Sequence, residues 1–259
     1  MQVTTARRIA GARRGAALRR PAVLGAAALA GAGGLLGAGG LAGTAKGPPR
    51  VVGSVITYSF QTGLDQPLSR EAVFPDGPGR LLVVGGYFGA TRSAGTSVEV
   101  FDTATGHVEV EGALEAPLAE SARVVLGGAD LLLGGSTGSG IALGAGTASA
   151  GVEQVVEGPR TGYKVVTTRL GSLPQPRAGA GAAVLGNRAY LAGGYDGGTG
   201  VAAVLETRDG RHYAVAANLL EAVRYPAVAA YGNSILVVGG ELVQSGVPEP
   251  VDVVQAVIP

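Results

Sequence analysis

The chain has 259 residues, enough for one large all-β domain, and it contains 46 glycines but no cysteine. The absence of cysteine excludes disulfide bonds and thiolate metal sites. Residues 1–50 hold eight of the 20 lysine and arginine residues and no acidic residue, so the rest of the chain carries 12 basic residues against 19 acidic ones. This mildly acidic body argues against a nucleic-acid partner, because binding to phosphates needs a basic surface.

The N-terminal segment has the composition of an export signal. Three Arg-Arg pairs within residues 1–20 precede an uncharged stretch at residues 21–45, and residues 43–45 (Gly-Thr-Ala) provide a small-residue cleavage site. A retained membrane anchor is the alternative, since 25 uncharged residues can cross a bilayer, and a disordered basic arm is a third interpretation. Only six of the 25 residues are strongly apolar and eight are glycine, which favours a cleaved signal.

The domain boundaries and the location of the protein follow from this composition. We expect residues 1–45 to be a signal peptide or anchor, residues 46–50 a linker, and residues 51–259 the folded body. The body is then exported to the periplasm or the extracellular space. Its only membrane contact is through residues 21–45, if they are retained.

From residue 51 onward the chain consists of short strand patterns, among which an apolar strand ending in a Gly-Gly pair recurs four times. The four pairs are Gly85-Gly86, Gly134-Gly135, Gly193-Gly194 and Gly239-Gly240. They lie 49, 59 and 46 residues apart, and a period near 50 residues built of four short strands is typical of a propeller blade. The strands that end in these pairs are apolar on both faces, which predicts inner strands packed between neighbouring blades. The glycines would let neighbouring backbones approach where a Cβ would clash.

The two ends of the repeat region leave two architectures open. Residues 55–60 match the fourth strand of a blade, whereas residues 251–257 form a third strand. The first strand could therefore complete the last blade and close a ring of four blades. The alternative is an incomplete ring with exposed strand edges, which are prone to association.

Two patterns that suggest catalysis or metal binding are better explained by the fold. Residues 134–138 match the G-x-S-x-G pattern of a nucleophile elbow, but no helical pattern follows them. His107 and His212 fall at corresponding points of separate repeats, so they should not converge on a metal or a catalytic triad. We expect no catalytic residue, no metal site and no cofactor.

The repeat resembles the kelch family of β-propellers. The marks are the Pro-x-Pro-Arg entry at residues 174–177, the Gly-Asn hairpin turns, the Gly-Gly pairs, the tyrosines that follow two of them, and the Val-Glu-Val-Phe-Asp strand at residues 98–102. The tryptophan that the family carries at the start of the fourth strand is missing, and His107, Tyr163 and Tyr213 stand there instead. The resemblance covers about residues 51–258. It implies an all-β, kelch-type propeller of about four blades, each with four antiparallel strands.

The best candidates for ligand binding are residues that recur once per repeat on one face. An entry arginine occurs in three repeats, and tyrosine or aspartate follows two of the Gly-Gly pairs. These candidates are Arg70, Arg177, Arg224, Tyr87, Tyr195 and Asp196. Arginines arranged in a ring could bind an anionic ligand in bidentate fashion, or they could bond loop carbonyls and neighbouring acids.

Four repeats without a recognisable catalytic set favour an exported binding or interaction module with a protein or glycan ligand. The alternative implied by the resemblance is an isomerase-like or lyase-like enzyme acting on an acidic sugar. A copper oxidase of the kelch kind requires a cysteine, which this chain lacks. A truncated propeller fragment is a third interpretation.

Overall fold

The structure is a computed structural model that describes residues 2–5, 50–52, 55–57, 63–89, 93–138, 148–158, 164–244 and 247–259. Within these residues the fold is all-β, without a helix, as the sequence predicts.

The strands are short and follow one another through tight turns. In chain order they are β1 (Gln2–Thr5), β2 (Arg50–Val52), β3 (Val55–Thr57), β4 (Leu68–Ser69), β5 (Ala72–Pro75), β6 (Arg80–Val84), β7 (Tyr87–Phe88), β8 (Ser93–Ala94), β9 (Ser97–Asp102), β10 (Val108–Ala113), β11 (Ala122–Leu126), β12 (Ala129–Leu133), β13 (Gly151–Glu157), β14 (Val165–Ser172), β15 (Gly181–Leu185), β16 (Arg188–Ala192), β17 (Ala203–Thr207), β18 (Ala214–Asn218), β19 (Ala227–Tyr231), β20 (Ser234–Val238), β21 (Glu241–Gln244), β22 (Val247–Pro250) and β23 (Val254–Ile258).

Four antiparallel, four-stranded sheets, here called modules 1 to 4, make up the body of the fold. Module 1 has the strand order β5-β6-β9-β10, module 2 runs from β11 to β14, and module 3 runs from β15 to β18. Module 4 has the order β19-β20-β23-β1. Modules 1 and 2 also share one eight-stranded sheet, because β10 and β14 pair in parallel where Gly112 faces Val165.

The fourth strand of module 4 is not the one that the sequence suggested. Residues 2–5, part of the predicted signal segment, pair with β23, with Gln2 opposite Ile258. Residues 55–57 instead form a hairpin with residues 50–52, and residues 58–60 lie outside the described residues. Because only two residues separate β2 from β3, the two strands satisfy each other's backbone groups locally.

The apolar core lies in three clusters, each between two consecutive modules. Strand β12 shows how one strand serves two clusters. Leu132 packs in the cluster between modules 1 and 2, whereas Leu131 and Leu133 pack in the cluster between modules 2 and 3. This alternation is the period-two geometry of a strand, and it buries β12 on both faces, as the sequence predicts. Strand β20 differs, because Leu236 is half-buried and Val238 is exposed.

The Gly-Gly pairs lie where each module meets the linker that enters the next one. The N–H of Gly86 donates to Leu118 O at 2.9 Å, that of Gly135 to Arg177 O at 2.8 Å, and that of Gly194 to Val223 O at 2.8 Å. A Cβ added to the preceding glycine of each pair would overlap the same carbonyl oxygen. The paired glycines therefore let each module dock on the next one. We call these three hydrogen bonds the inter-module bonds.

The contact from module 4 back to module 1 differs from the other three. Among the described residues, Gly240 makes no such bond to Leu68, and the nearest atom to a Cβ built on Gly239 is Val251 O at 3.5 Å. A side-chain bond from Arg70 Nη1 to Tyr225 OH, 2.7 Å long, links these two modules instead.

Replacing Gly85 with alanine should destabilise the fold more than the same change at a glycine in open space. Gly85→Ala incurs the backbone cost of a left-handed conformation, about 1–2 kcal/mol, and in addition an overlap with Leu118 O that we put at about 1–3 kcal/mol. Gly127→Ala is the matched control, because Gly127 has φ +60° but no atom within 4 Å of the built Cβ. Urea unfolding measures both changes, and equal losses would contradict the proposed docking role of Gly85.

Candidate functional site

The linkers that enter modules 2, 3 and 4 are each eight residues long, at 114–121, 173–180 and 219–226. Corresponding residues of all four modules are matched by counting back from β5, β11, β15 and β19. The residue two places before each of these strands has a positive φ. These residues are Arg70 (61°), Glu120 (56°), Gly179 (60°) and Tyr225 (53°). Three of them are not glycine, and non-glycine residues held in this region often lie at functional sites.

Backbone hydrogen bonds connect these four positions in sequence. The N–H of Glu120 donates to Arg70 O at 3.0 Å, the N–H of Gly179 to Glu120 O at 3.0 Å, and the N–H of Tyr225 to Gly179 O at 2.7 Å. The corresponding bond from Arg70 N–H to Tyr225 O is not made in the described structure. One position from each module thus meets its counterparts around a common centre.

The carboxylate of Glu120 lies at this centre, and its side chain is almost fully buried. Oε1 accepts hydrogen bonds from Arg70 Nη1 and from Tyr225 OH, the latter at 2.8 Å, and Oε2 accepts one from Tyr195 OH at 2.6 Å. Burial of a carboxylate is costly unless its oxygens are paired, and here both oxygens are. Glu120 therefore ties modules 1, 3 and 4 to module 2.

The tyrosines around Glu120 are held in their protonated form. Burial raises the pKa of Tyr195, and the hydrogen bond to Glu120 and the charge of that carboxylate raise it further. Burial also raises the pKa of Tyr225, followed by the effect of the Glu120 charge. The pKa of Tyr87 is raised mainly by burial. These phenols act as hydrogen-bond donors at neutral pH.

Arg224 adds a second cation next to the same aromatic rings. Its guanidinium lies 5.1 Å from the centroid of Tyr225 and 5.8 Å from that of Tyr195, within cation–π range. Its Nη2 forms an ion pair with Glu241 at 2.9 Å. Arg224 is 4% exposed, so it supports the site from beneath.

A pocket of about 210 Å³ opens at this centre. It is lined by two successive residues from each of the four modules. The lining residues are Arg70, Glu71, Glu120, Ser121, Gly179, Ala180, Tyr225 and Pro226. Only Gly179 among the four positive-φ residues lacks a side chain, and a Cβ there would lie 2.5 Å from the Tyr225 ring. The Tyr225 ring therefore fills the space that a side chain at position 179 would need.

The structure brings together four of the six predicted binding residues around Glu120, namely Arg70, Arg224, Tyr87 and Tyr195. Asp196 is exposed and accepts the N–H groups of Gly198 and Thr199 at 2.9 and 2.8 Å, and these backbone bonds lower its pKa. Asp196 thus stabilises its own turn and does not line the pocket.

The expected ring of one entry arginine per module is not formed. Counted from the first strand of each module, Arg70 is two residues before it, Arg224 three and Arg177 four. Arg177 thus occupies the position held by Leu68, Leu118 and Val223 in the other linkers, and it is 1% exposed. Its Nη1 donates to Ala203 O at 2.7 Å, but Nε and Nη2 are buried without a partner. Burial lowers the pKa of Arg177 to about 10, as expected for a cation without a compensating anion.

Of the eight residues that line the pocket, the sequence-based list of binding residues contains only Arg70, and Glu120 and Tyr225 are two of those that it omits. The signal that identifies them is their distance of two residues from a first strand, which matches them to Arg70. The entry arginine was instead located by the Pro-x-Pro-Arg pattern, whose arginine lies two positions earlier in its linker.

A second groove, of about 310 Å³, lies on module 3 alone. In it, His212 Nδ1 is 2.7 Å from Asp209 Oδ2, and this hydrogen bond is the main cause of the lowered pKa of Asp209. His212 is exposed, and His107 lies on the corresponding hairpin of module 1. The two histidines therefore do not converge.

The G-x-S-x-G match also belongs to the repeat geometry. Ser136 is buried, and its backbone bridges Ala119 and Ala148, in the place that Tyr87 and Tyr195 occupy in modules 1 and 3. No helix follows it as far as residue 138, where description of this loop stops.

Comparison with known proteins adds no relative: no protein-family model matches the chain, and no curated protein has a significantly similar sequence. In the described part of the chain, no group of three or more histidine, aspartate or glutamate side chains is placed to hold a metal ion. No helix of sufficient length and hydrophobicity to cross a membrane occurs in that part either.

Replacing Arg177 with leucine should leave the fold as stable as before or stabilise it by about 1 kcal/mol or more, because it removes a buried charge with no anionic partner and with Nε and Nη2 unpaired. Leucine also restores the residue found in two of the other linkers. Arg224→Leu is the control and should destabilise the protein by about 1–3 kcal/mol, since it leaves Glu241 without its partner. Urea unfolding measures both variants. If Arg177→Leu lowers the free energy of unfolding as much as Arg224→Leu does, this account of Arg177 is contradicted.

The ionisation of the tyrosines should depend on folding. Tyr87, Tyr190, Tyr195, Tyr213 and Tyr225 all have a pKa raised by burial above the ordinary value of about 10. Each of these tyrosines therefore favours the folded state while it is protonated. Because the pKa is higher in the folded than in the unfolded state, this contribution to the free energy of unfolding is complete below about pH 10 and is lost as the pH rises towards the folded-state pKa.

Ultraviolet titration of tyrosinate measures this difference. Near pH 10 the native protein should show much less ionisation than the urea-unfolded chain. Glu120→Gln should bring the pKa of Tyr195 and Tyr225 closer to 10 and leave that of Tyr213 unchanged. Coinciding titration curves for native and unfolded protein would overturn the assignment.

Proposed function

We propose that this protein is an exported, kelch-type propeller of four blades that binds a partner at the mouth of its central pocket. The main observation in support is that each of the four modules contributes two residues, at corresponding positions, to the lining of one pocket. A site shared by four repeats around a common centre is the arrangement in which propellers and other repeat proteins present a binding surface. The modules are the proposed blades, and the pocket is the mouth of the proposed central shaft.

The successive contacts between the modules support a ring arrangement. The three inter-module bonds and the three apolar clusters place modules 1 to 4 in order, each against the next. The bond from Arg70 to Tyr225 brings module 1 next to module 4. Among the described residues, modules 4 and 1 are joined by side-chain contacts alone. We therefore propose that the ring opens between these two modules.

The state of the central carboxylate favours binding over catalysis. A general base must reach a substrate proton with a free oxygen, but the oxygens of Glu120 already accept three donors. An enzyme for acidic sugars would need several free arginines in the pocket. Arg70 is paired with Glu120, Arg224 is paired with Glu241, and Arg177 is buried elsewhere.

Export is part of this proposal and rests on the composition of residues 1–45. Cleavage after Ala45 would remove β1 and leave β23 as the edge of the last module. The partner is a protein or a glycan, and a pocket of about 210 Å³ takes only a small part of it, such as one side chain.

Filling the pocket should abolish binding. We would probe arrays of peptides and of glycans with the full chain and with Ser121→Trp, whose indole would occupy the pocket mouth. Ala104→Trp is the matched control, because Ala104 lies exposed in the turn between β9 and β10. We expect the wild type and the control to bind the same array members and Ser121→Trp to lose them at least tenfold.

Thermal unfolding of each variant separates lost binding from lost folding, and Ala180→Trp is a second way to fill the same pocket if Ser121→Trp is unstable. Binding that persists in both pocket-filled variants, or turnover of a small substrate by a wild type that binds no array member, would contradict the proposal.

A further inference from the structure

Glu71 is the one charged residue of the pocket for which the described part of the chain provides no partner. It lies one residue before β5, where the other modules have Ser121, Ala180 and Pro226. Its Oε2 is buried and accepts no hydrogen bond, and Glu71 takes part in no ion pair among the described residues. Glu71 as a whole is half-buried and lines the pocket, so a donor from outside the chain can approach its carboxylate there. A carboxylate with one oxygen buried and unpaired gains from such a donor.

The charge balance of the pocket indicates the sign of that donor. Arg70 and Glu120 neutralise each other in an ion pair, which leaves Glu71 as the uncompensated charge. The pocket is therefore net negative, although three of the candidate binding residues are arginines. An anionic ligand would meet repulsion here, whereas a cation would be attracted.

The shape of the wall indicates what kind of cation fits. Gly179, Ala180 and Pro226 line the side contributed by modules 3 and 4 with apolar atoms. The face of Tyr225 is already covered by the guanidinium of Arg70, 4.3 Å from the ring centroid, so it is closed to a second flat cation. An apolar wall next to one unpaired carboxylate matches a methylene chain that ends in a compact ammonium group with three donors.

We propose that the pocket binds a primary alkylammonium group, with its nitrogen at Glu71 and its methylene chain along Ala180 and Pro226. This inference rests on the proposed binding function and specifies its ligand chemistry. The group is supplied either by a lysine side chain of a protein or by a free amine.

Isothermal titration calorimetry with n-butylammonium, using the full chain, tests this proposal. We expect saturable binding by the wild type, weakened at least tenfold by Glu71→Gln, which keeps the shape of the side chain but removes its charge. Glu153→Gln is the matched control, because Glu153 also has a buried, unpartnered Oε2 but lies outside the pocket. It should bind n-butylammonium as the wild type does. Butyrate, the anion of similar size, should not bind.

Two further arms identify the source of the ammonium group. A pentapeptide with a central lysine that binds at least as tightly as n-butylammonium supports a protein partner. Binding of n-butylammonium but not of the peptide supports a free amine. Binding of butyrate, or equal affinity of wild type and Glu71→Gln for n-butylammonium, overturns the proposal.

A tethered ammonium gives an independent test if Glu71→Gln does not fold. Ser121→Lys places an ammonium in the same pocket from module 2, so it should raise the melting temperature and prevent n-butylammonium from binding. Glu71→Gln in the Ser121→Lys background should remove the gain in melting temperature. If array members bind the wild type and Glu71→Gln equally but not Ser121→Trp, the ammonium assignment fails and the binding function stands.

Discussion

The hydrogen bond from the second glycine of three of the four Gly-Gly pairs to a carbonyl of the next linker is the interaction on which the rest of the structure depends. It is made at Gly86, Gly135 and Gly194, and each time a side chain on the preceding glycine would block it. Because the bond fixes the distance between consecutive modules, it also fixes how the apolar faces meet. Strand β12 can then bury leucines on both sides, since a module lies against each face.

The same docking determines the chemistry at the centre. Each linker into modules 2, 3 and 4 is held at one end by an inter-module bond and at the other by the first strand it enters, so the residue two places before that strand is brought next to its counterparts. Of the four positions, two hold Arg70 and Glu120, which form an ion pair. The third holds Tyr225, whose hydroxyl donates to Glu120, and the fourth is a glycine without a side chain. The backbone that the modules share thus determines the geometry of the pocket, and the different residues that the modules carry at this position determine its polarity.

Much of the fold could be predicted from the sequence because it depends on local patterns. The turns, the apolar strands and the spacing of the Gly-Gly pairs each identify strands without knowledge of tertiary contacts. The pairing of Gln2–Thr5 with β23 could not be predicted, since nothing in those four residues encodes a partner some 250 residues away. The site was predicted in part. Arg70, Arg224 and Tyr195 were found by recurrence, but Arg177 was assigned to the wrong position because its motif lies two residues earlier in the linker. The unpaired Oε2 of Glu71 depends on long-range burial and has no sequence signal.

The absence of an inter-module bond between modules 4 and 1 has a consequence for how the molecule holds together. Four modules joined by three full interfaces behave as an open chain of repeats, in which modules 2 and 3 have two neighbours and modules 1 and 4 have one. The outer two can therefore fray at a lower free energy than the inner two. Because Arg70 and Tyr225 belong to modules 1 and 4, the pocket lies across the junction at which such fraying begins, and any occupant that contacts both modules would hold this junction closed.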